Sequence, residues 1–127
     1  EKLMQFWYFG DFGAFEYNLK ESDKYLVEAK TLFDYQQYLL AYNALKKSDD
    51  YFLKIKPTIN KAQRSGKSIV NEQKTFSEAA QKHIEVLSKL ESDVPATVVW
   101  QPEKQAATNL DLKTAIETSI KIRKNNL

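Results

Sequence analysis

His83 is the only histidine in the chain, and imidazole is the side chain best suited to proton transfer near neutral pH or to metal ligation. Its neighbours at helical spacing are Ala79, Ala80, Val86 and Leu87, none of them a second ligand. The residue therefore reads as a buried, hydrogen-bonded imidazole on the apolar stripe of a helix. A di-iron bundle needs Glu-x-x-His on two helices, which one histidine cannot supply. With no Cys, thiol nucleophiles, Cys-ligated zinc and disulfides are excluded. Gly66-Lys67-Ser68 has the ending of a phosphate-binding loop. However, Lys61 stands where that loop's first Gly belongs, and a helical pattern precedes it instead of a strand. It reads as an inter-helix turn. Asp49 and Asp50 fall mid-helix, with Lys46 and Lys54 each four residues from Asp50. These groups converge on no reaction, so the expectation is a protein that is not an enzyme and carries no metal or cofactor.

Two surface features remain. The chain has two Trp, seven Tyr and seven Phe, yet beyond Phe52 only Phe76 and Trp100 occur. The run Phe6-Trp7-Tyr8-Phe9 has neither helical nor strand period, so it cannot all face one core. Phe6, Trp7 and Tyr8, with Tyr35 and Tyr38, are the expected partner-binding residues, and the N-terminal aromatics also suit a membrane surface. Charge is segregated as well. Lys54, Lys56, Lys61, Arg64 and Lys67 form a basic stretch between acidic flanks, the expected anion-binding face. It lacks the interleaved aromatics of single-strand nucleic-acid binders.

The elements that would hold these residues follow from periodicity. Phe12, Phe15, Leu19, Ser22, Leu26, Ala29 and Phe33 mark one face of a helix over 12–34. Tyr38, Ala41, Leu45, Ser48, Phe52, Ile55, Ile59 and Ala62 mark a second over 37–65, kinked near Leu53 to Lys56 by Pro57. Gly66 suits the left-handed position past its end, and Ser68 is the expected N-cap of a third helix over 68–92. Val94-Pro95 stops that helix. Residues 93–102, with β-branched Thr97-Val98-Val99, read as an extended connector crossing the bundle. A fourth helix over 103–124 follows, starting at Pro102 or Asn109 and turning Ala106, Leu110, Ala115 or Ile116, and Ile120 inward. The expected fold is all-α: an up-and-down bundle of three long helices plus a C-terminal fourth helix, in one domain over 1–127 with 1–11 as an aromatic lead-in.

Global composition agrees. A chain of 127 residues can bury about two thirds of its unfolded surface. Three Gly and three Pro are too few for a turn-rich β-sandwich. A net charge of +2 does not by itself point to nucleic acid. No apolar run is long enough to span a bilayer. The opening Glu1 reads as the start of a processed or excised chain, with any targeting segment upstream.

Small residues at Ala29, Ala41 and Ser48, with Tyr25, Leu32, Tyr38 and Leu45 at large positions, resemble a tetratricopeptide-type hairpin. Small side chains let antiparallel helices approach closely where they cross. No second copy follows, so a single repeat-like hairpin is expected, not a solenoid. The lead-in Glu1-Lys2-Leu3-Met4-Gln5-Phe6-Trp7-Tyr8-Phe9-Gly10-Asp11, then Glu16-Tyr17-Asn18-Leu19-Lys20 and Tyr25-Leu26-Val27-Glu28-Ala29, resembles an uncharacterised bacterial helical domain family. Gln81-Lys82-His83-Ile84-Glu85-Val86-Leu87 is similar to that family's third helix. The resemblance spans residues 1–95. It implies a helical fold outside the membrane, anchored in the full-length protein, and no chemistry. The expected function is a non-catalytic interaction or scaffold module of the bacterial cell envelope, extracytoplasmic, with other envelope proteins as partners. The alternative is a binder of an anionic polymer or nucleic acid through the basic Lys46–Lys67 face.

Overall fold

The computed structural model describes residues 10–101 and 106–127, with side-chain surroundings from Gly13 onward. Its elements in chain order are α1 (Gly10–Asp34), α2 (Tyr38–Leu53), α3 (Ile55–Arg64), α4 (Val70–Asp93), β1 (Thr97–Trp100), β2 (Thr108–Asp111) and α5 (Leu112–Asn125). It is a helical bundle with a C-terminal helix and one small two-stranded sheet. Phe6, Trp7, Tyr8 and the expected helix start at Pro102 lie outside the described residues, as does the side chain of Phe12.

α1 and α2 form a close antiparallel pair because their facing side chains are small. Ala29 and Ala41 are fully buried, as are Ser22 and Ser48. The two serines bond reciprocally: Ser48 Oγ donates to the Ser22 carbonyl at 2.7 Å, and Ser22 Oγ to the Ser48 carbonyl at 2.9 Å. α1 ends on a Schellman turn, in which the Gln37 amide reaches back to the Leu32 carbonyl at 2.9 Å. The left-handed residue there is Gln36, at φ 60°, where glycine is the usual choice. α3 ends the same way, with the Lys67 amide on the Ala62 carbonyl and Gly66 at φ 83°.

α2 and α3 are one rod broken at Lys54. Pro57 has no amide proton for the Leu53 carbonyl, and its ring crowds the preceding turn, which places the break one turn upstream. Within the first turn of the new helix proline is tolerated. Burial continues across the break through Phe52, Ile55, Ile59 and Ala62.

The core has two levels. At the lower, Phe15 of α1 packs with Phe52, Ile55, Ile59, Ala62, Ile69, Phe76 and Ala80. At the upper, Leu26, Ala29 and Phe33 pack with Ala41, Leu45, Leu87, Leu90, Leu110, Leu112 and Ile116. Each fully buried Leu, Ile or Phe contributes about 1.5–3 kcal/mol of apolar transfer. α1 and α4 therefore run parallel, with the chain joining α1 at the lower end.

Two expectations at helix starts are corrected. Ser68 does not cap α4, which begins at Val70 behind Ile69 with no side-chain cap. Ile69 is buried in the lower core, and seating it moves the start past the serine. The segment after α4 does not run as a lone connector into a helix at 103. Thr97-Val98-Val99-Trp100 pairs antiparallel with Thr108-Asn109-Leu110-Asp111, Val98 opposite Leu110. An extended segment on a core leaves backbone donors and acceptors that need partners, and β2 supplies them. Val98, Trp100 and Leu110 pack on the upper core. Leu110 is thus inward as expected, but from a strand, and Ala106 lies before β2, outside any helix. α5 starts at Leu112, where Asp111 accepts the Thr114 amide at 3.0 Å and its hydroxyl at 2.8 Å. A carboxylate in that position satisfies an otherwise free helix amide.

Candidate functional site

α1 and α4 lie side by side without closing fully on each other, and a cleft of about 470 Å³ opens between them. Leu19, Leu26 and Val27 line it from α1, and Ala79 and Val86 from α4. Val27 is 65% exposed. Asp23, Lys30, Thr75, Glu78 and Lys82 stand among the lining, and His83 is its buried polar group.

His83 is buried, at 4% exposure, on the stripe of α4 with Phe76, Ala80, Leu87 and Leu90. Its two ring nitrogens have different partners. Arg123 Nε donates to Nδ1 at 3.0 Å, while Nε2 faces Oδ1 of the exposed Asp23. A guanidinium only donates. Nδ1 must therefore be the acceptor, which assigns the proton to Nε2 and makes Asp23 its acceptor.

Arg123, in the last turn of α5, is fully buried. Its Nη1 donates to Asp49 Oδ1 and to the Ser119 carbonyl, and its Nη2 to Ser48 Oγ at 2.9 Å. The guanidinium carbon lies 4.9 Å from the centre of the Phe52 ring. Ser119 Oγ completes the carboxylate, donating to Asp49 Oδ2 at 2.7 Å. One polar chain thus joins Asp23 on α1, Ser48 and Asp49 on α2, His83 on α4 and Ser119 and Arg123 on α5. Among the described residues, no buried side-chain nitrogen or oxygen lacks a partner.

Burial dominates the electrostatics of the pair. Desolvation pushes the Asp49 carboxyl above the usual carboxylate range, against the pull of Arg123 and the Ser119 bond. Desolvation likewise lowers the Arg123 guanidinium from its ordinary value, against Asp49. Both partners shift toward neutrality, the mark of an ion pair whose desolvation exceeds its Coulombic return.

The expected site residues do not form one surface. Tyr35 is 74% exposed in the α1–α2 turn, and Tyr38 packs beside Phe33 at 6.4 Å between ring centres. Both lie at the upper end. The chain joins α1 at the lower end, and α1 has 25 residues, about 37 Å at 1.5 Å per residue. Tyr35 and Tyr38 are therefore separated from the point where the Phe6–Tyr8 segment attaches. Lys54, Lys56, Lys61, Arg64 and Lys67 are all exposed, on α3 and the turns flanking it. Lys46 and Lys47 stand apart on α2, over the rings of Tyr42 and Tyr25.

Sequence reasoning placed His83 inside but missed Asp23, Asp49, Ser119 and Arg123. A signal existed: Leu112, Ile116, Ser119 and Arg123 recur at steps of four, three and four. Among the described residues, no group of three or more His, Cys, Asp or Glu is placed to hold a metal ion. None of their helices is long and apolar enough to cross a membrane. No family model, curated protein or solved structure matches the chain.

Proposed function

We propose that this chain is a non-catalytic protein-interaction module of the bacterial cell envelope, and that its α1–α4 cleft receives an amphipathic helix of a partner protein. The apolar cleft carries this reading. Two parallel helices left apart offer ridges and grooves into which a third helix packs. Val27, Leu19 and Val86 are the apolar contacts available to it. Lys30, Glu78, Lys82 and the outer part of Asp23 supply charges of both signs. The occupant is therefore a helix whose apolar stripe is flanked by acids and bases, with orientation set by those flanks. The cleft's imidazole is engaged at both nitrogens by protein groups, which favours docking over acid–base chemistry. The placement at the envelope rests on the resemblance of residues 1–95 described above.

The test is a photo-crosslinking residue at position 27, with one at Lys113 on α5 as control, in cells that make the full-length protein. The expected result is one discrete adduct at position 27, mapped by mass spectrometry to an amphipathic helix of an envelope protein and lost when Ala79→Asp is added on the facing wall of the cleft. The reading fails if position 27 gives no adduct beyond the control, or if the crosslinked peptide has no apolar helical stripe.

A further inference from the structure

We propose that the helix received by the α1–α4 cleft seats a lysine or arginine on Asp23, and that this carboxylate selects the partner; the inference rests on the docking reading above. The Asp23 side chain is 52% exposed. Its Oδ1 accepts from His83 Nε2, and its Oδ2 has no partner among the described residues. A carboxylate has acceptor sites for about four hydrogen bonds, and solvent satisfies the rest while the cleft is open. A helix lying over Leu19, Leu26, Val27 and Val86 takes that solvent away. An ionised carboxylate left with one neutral donor out of water is costly, and a cation across the interface offsets the cost.

The cations already in the cleft do not supply it. Lys30 Nζ lies 3.0 Å from Asp34 Oδ2, so its charge is engaged one turn further along α1. Lys82 lines the facing wall but pairs with no carboxylate among the described residues. The interior does not supply it either. Both Asp49 oxygens accept, one from Arg123 and one from Ser119, so Asp49 and Arg123 offset each other. His83 is neutral, with its proton on Nε2. Along the polar chain from α1 to α5, one negative charge is left over, and it is that of Asp23.

Reach separates Asp23 from the other charges of the lining. Lys82 is exposed, and its long stem can lie along a docked helix while the ammonium stays in water. Glu78 is exposed as well, with one methylene more than Asp23. Asp23 is short and fastened to buried His83, which Arg123 holds from the other side. Turning away would leave the Nε2 proton without its acceptor. Asp23 therefore stays under the docked helix, and a helix with no base there, or with an acid, is rejected.

The experiment uses the photo-crosslinker at position 27, one helical turn from Asp23, in cells that make the full-length protein. Asp23→Asn keeps an acceptor for His83 Nε2–H and removes only the charge. The adduct should fall roughly ten-fold in Asp23→Asn and stay unchanged in Glu117→Gln, at an exposed position of α5. Circular dichroism checks that both variants are folded. Mass spectrometry should find a lysine or arginine within one helical turn of the crosslinked residue. That helix, made as a synthetic peptide, should bind the purified chain roughly ten-fold more weakly once its base is replaced by Gln. Asp23→Asn should then add little further loss. The peptide arm on the parent chain does not depend on how Asp23→Asn folds. An adduct undiminished in Asp23→Asn, a crosslinked helix with no base there, or additive losses in the peptide cycle would overturn the role of Asp23 and leave the docked helix standing. No adduct at position 27 beyond the Lys113 control overturns both.

Discussion

Arg123 donates through Nε to His83 Nδ1 at 3.0 Å, and this bond joins α5 to the one imidazole lining the α1–α4 cleft. Both residues are buried, so neither exchanges its partner for water without opening the bundle. His83→Phe keeps the ring volume but leaves Arg123 Nε–H unpartnered in the core. An unsatisfied buried donor costs about 1–3 kcal/mol. Urea denaturation should show a loss of that size, with the slope against urea unchanged.

The Asp49–Arg123 pair holds the helices in register at a cost in desolvation. Arg123→Met alone strands the Asp49 carboxylate, a loss of about 3–5 kcal/mol. Adding Asp49→Leu should recover most of it, because the double variant buries no charge. A double-mutant cycle measured by denaturation checks this, and additive losses would contradict it.

The two Schellman turns predict opposite responses. Gln36 holds φ 60°, so Gln36→Gly should raise stability by about 0.5–1 kcal/mol through relief of the left-handed backbone. Gly66 sits at φ 83°, and a methyl group on its Cα would meet nothing within 4 Å. Gly66→Ala should therefore cost about 1 kcal/mol from backbone conformation alone. Thermal melts of the two variants should move in opposite directions.

Asp111 gives the acid limb of the stability curve. The Thr114 amide, then its hydroxyl, holds this carboxyl below its ordinary value of 3.8. A group depressed in the folded state stabilises above its unfolded pKa and loses that contribution as pH falls through the folded value. Asp111→Ala should thus melt earlier than the parent at pH 7, with the gap narrowing below about pH 4 and closing once Asp111 is protonated.

How much of this was legible in the sequence depends on the range of the interactions. The stripes of α1, α2, α3 and α4 are local patterns, and Ser22, Ala29, Ala41 and Ser48 are buried as their spacing requires. The Pro57 break is local too. The hairpin was hidden because β2 has one apolar residue, Leu110, and strand pairing is not a local property. The polar chain was hidden for a similar reason. Arg123 meets His83 from 40 residues away and Asp49 from 74, and a periodicity reading assigns a late-helix arginine to solvent. His83 could be placed inside, but not its partners.

His83 links Asp23 to Arg123, and the proposed docking role of the cleft rests on that link. The direct measurement is the imidazole nitrogen spectrum of uniformly ¹⁵N-labelled protein at pH 7, by long-range proton–nitrogen correlation. One pyridine-type Nδ1 and one pyrrole-type Nε2, the latter shifting in Asp23→Asn, is the predicted result. Protonation at Nδ1, or two nitrogens averaging as in free histidine, would contradict it.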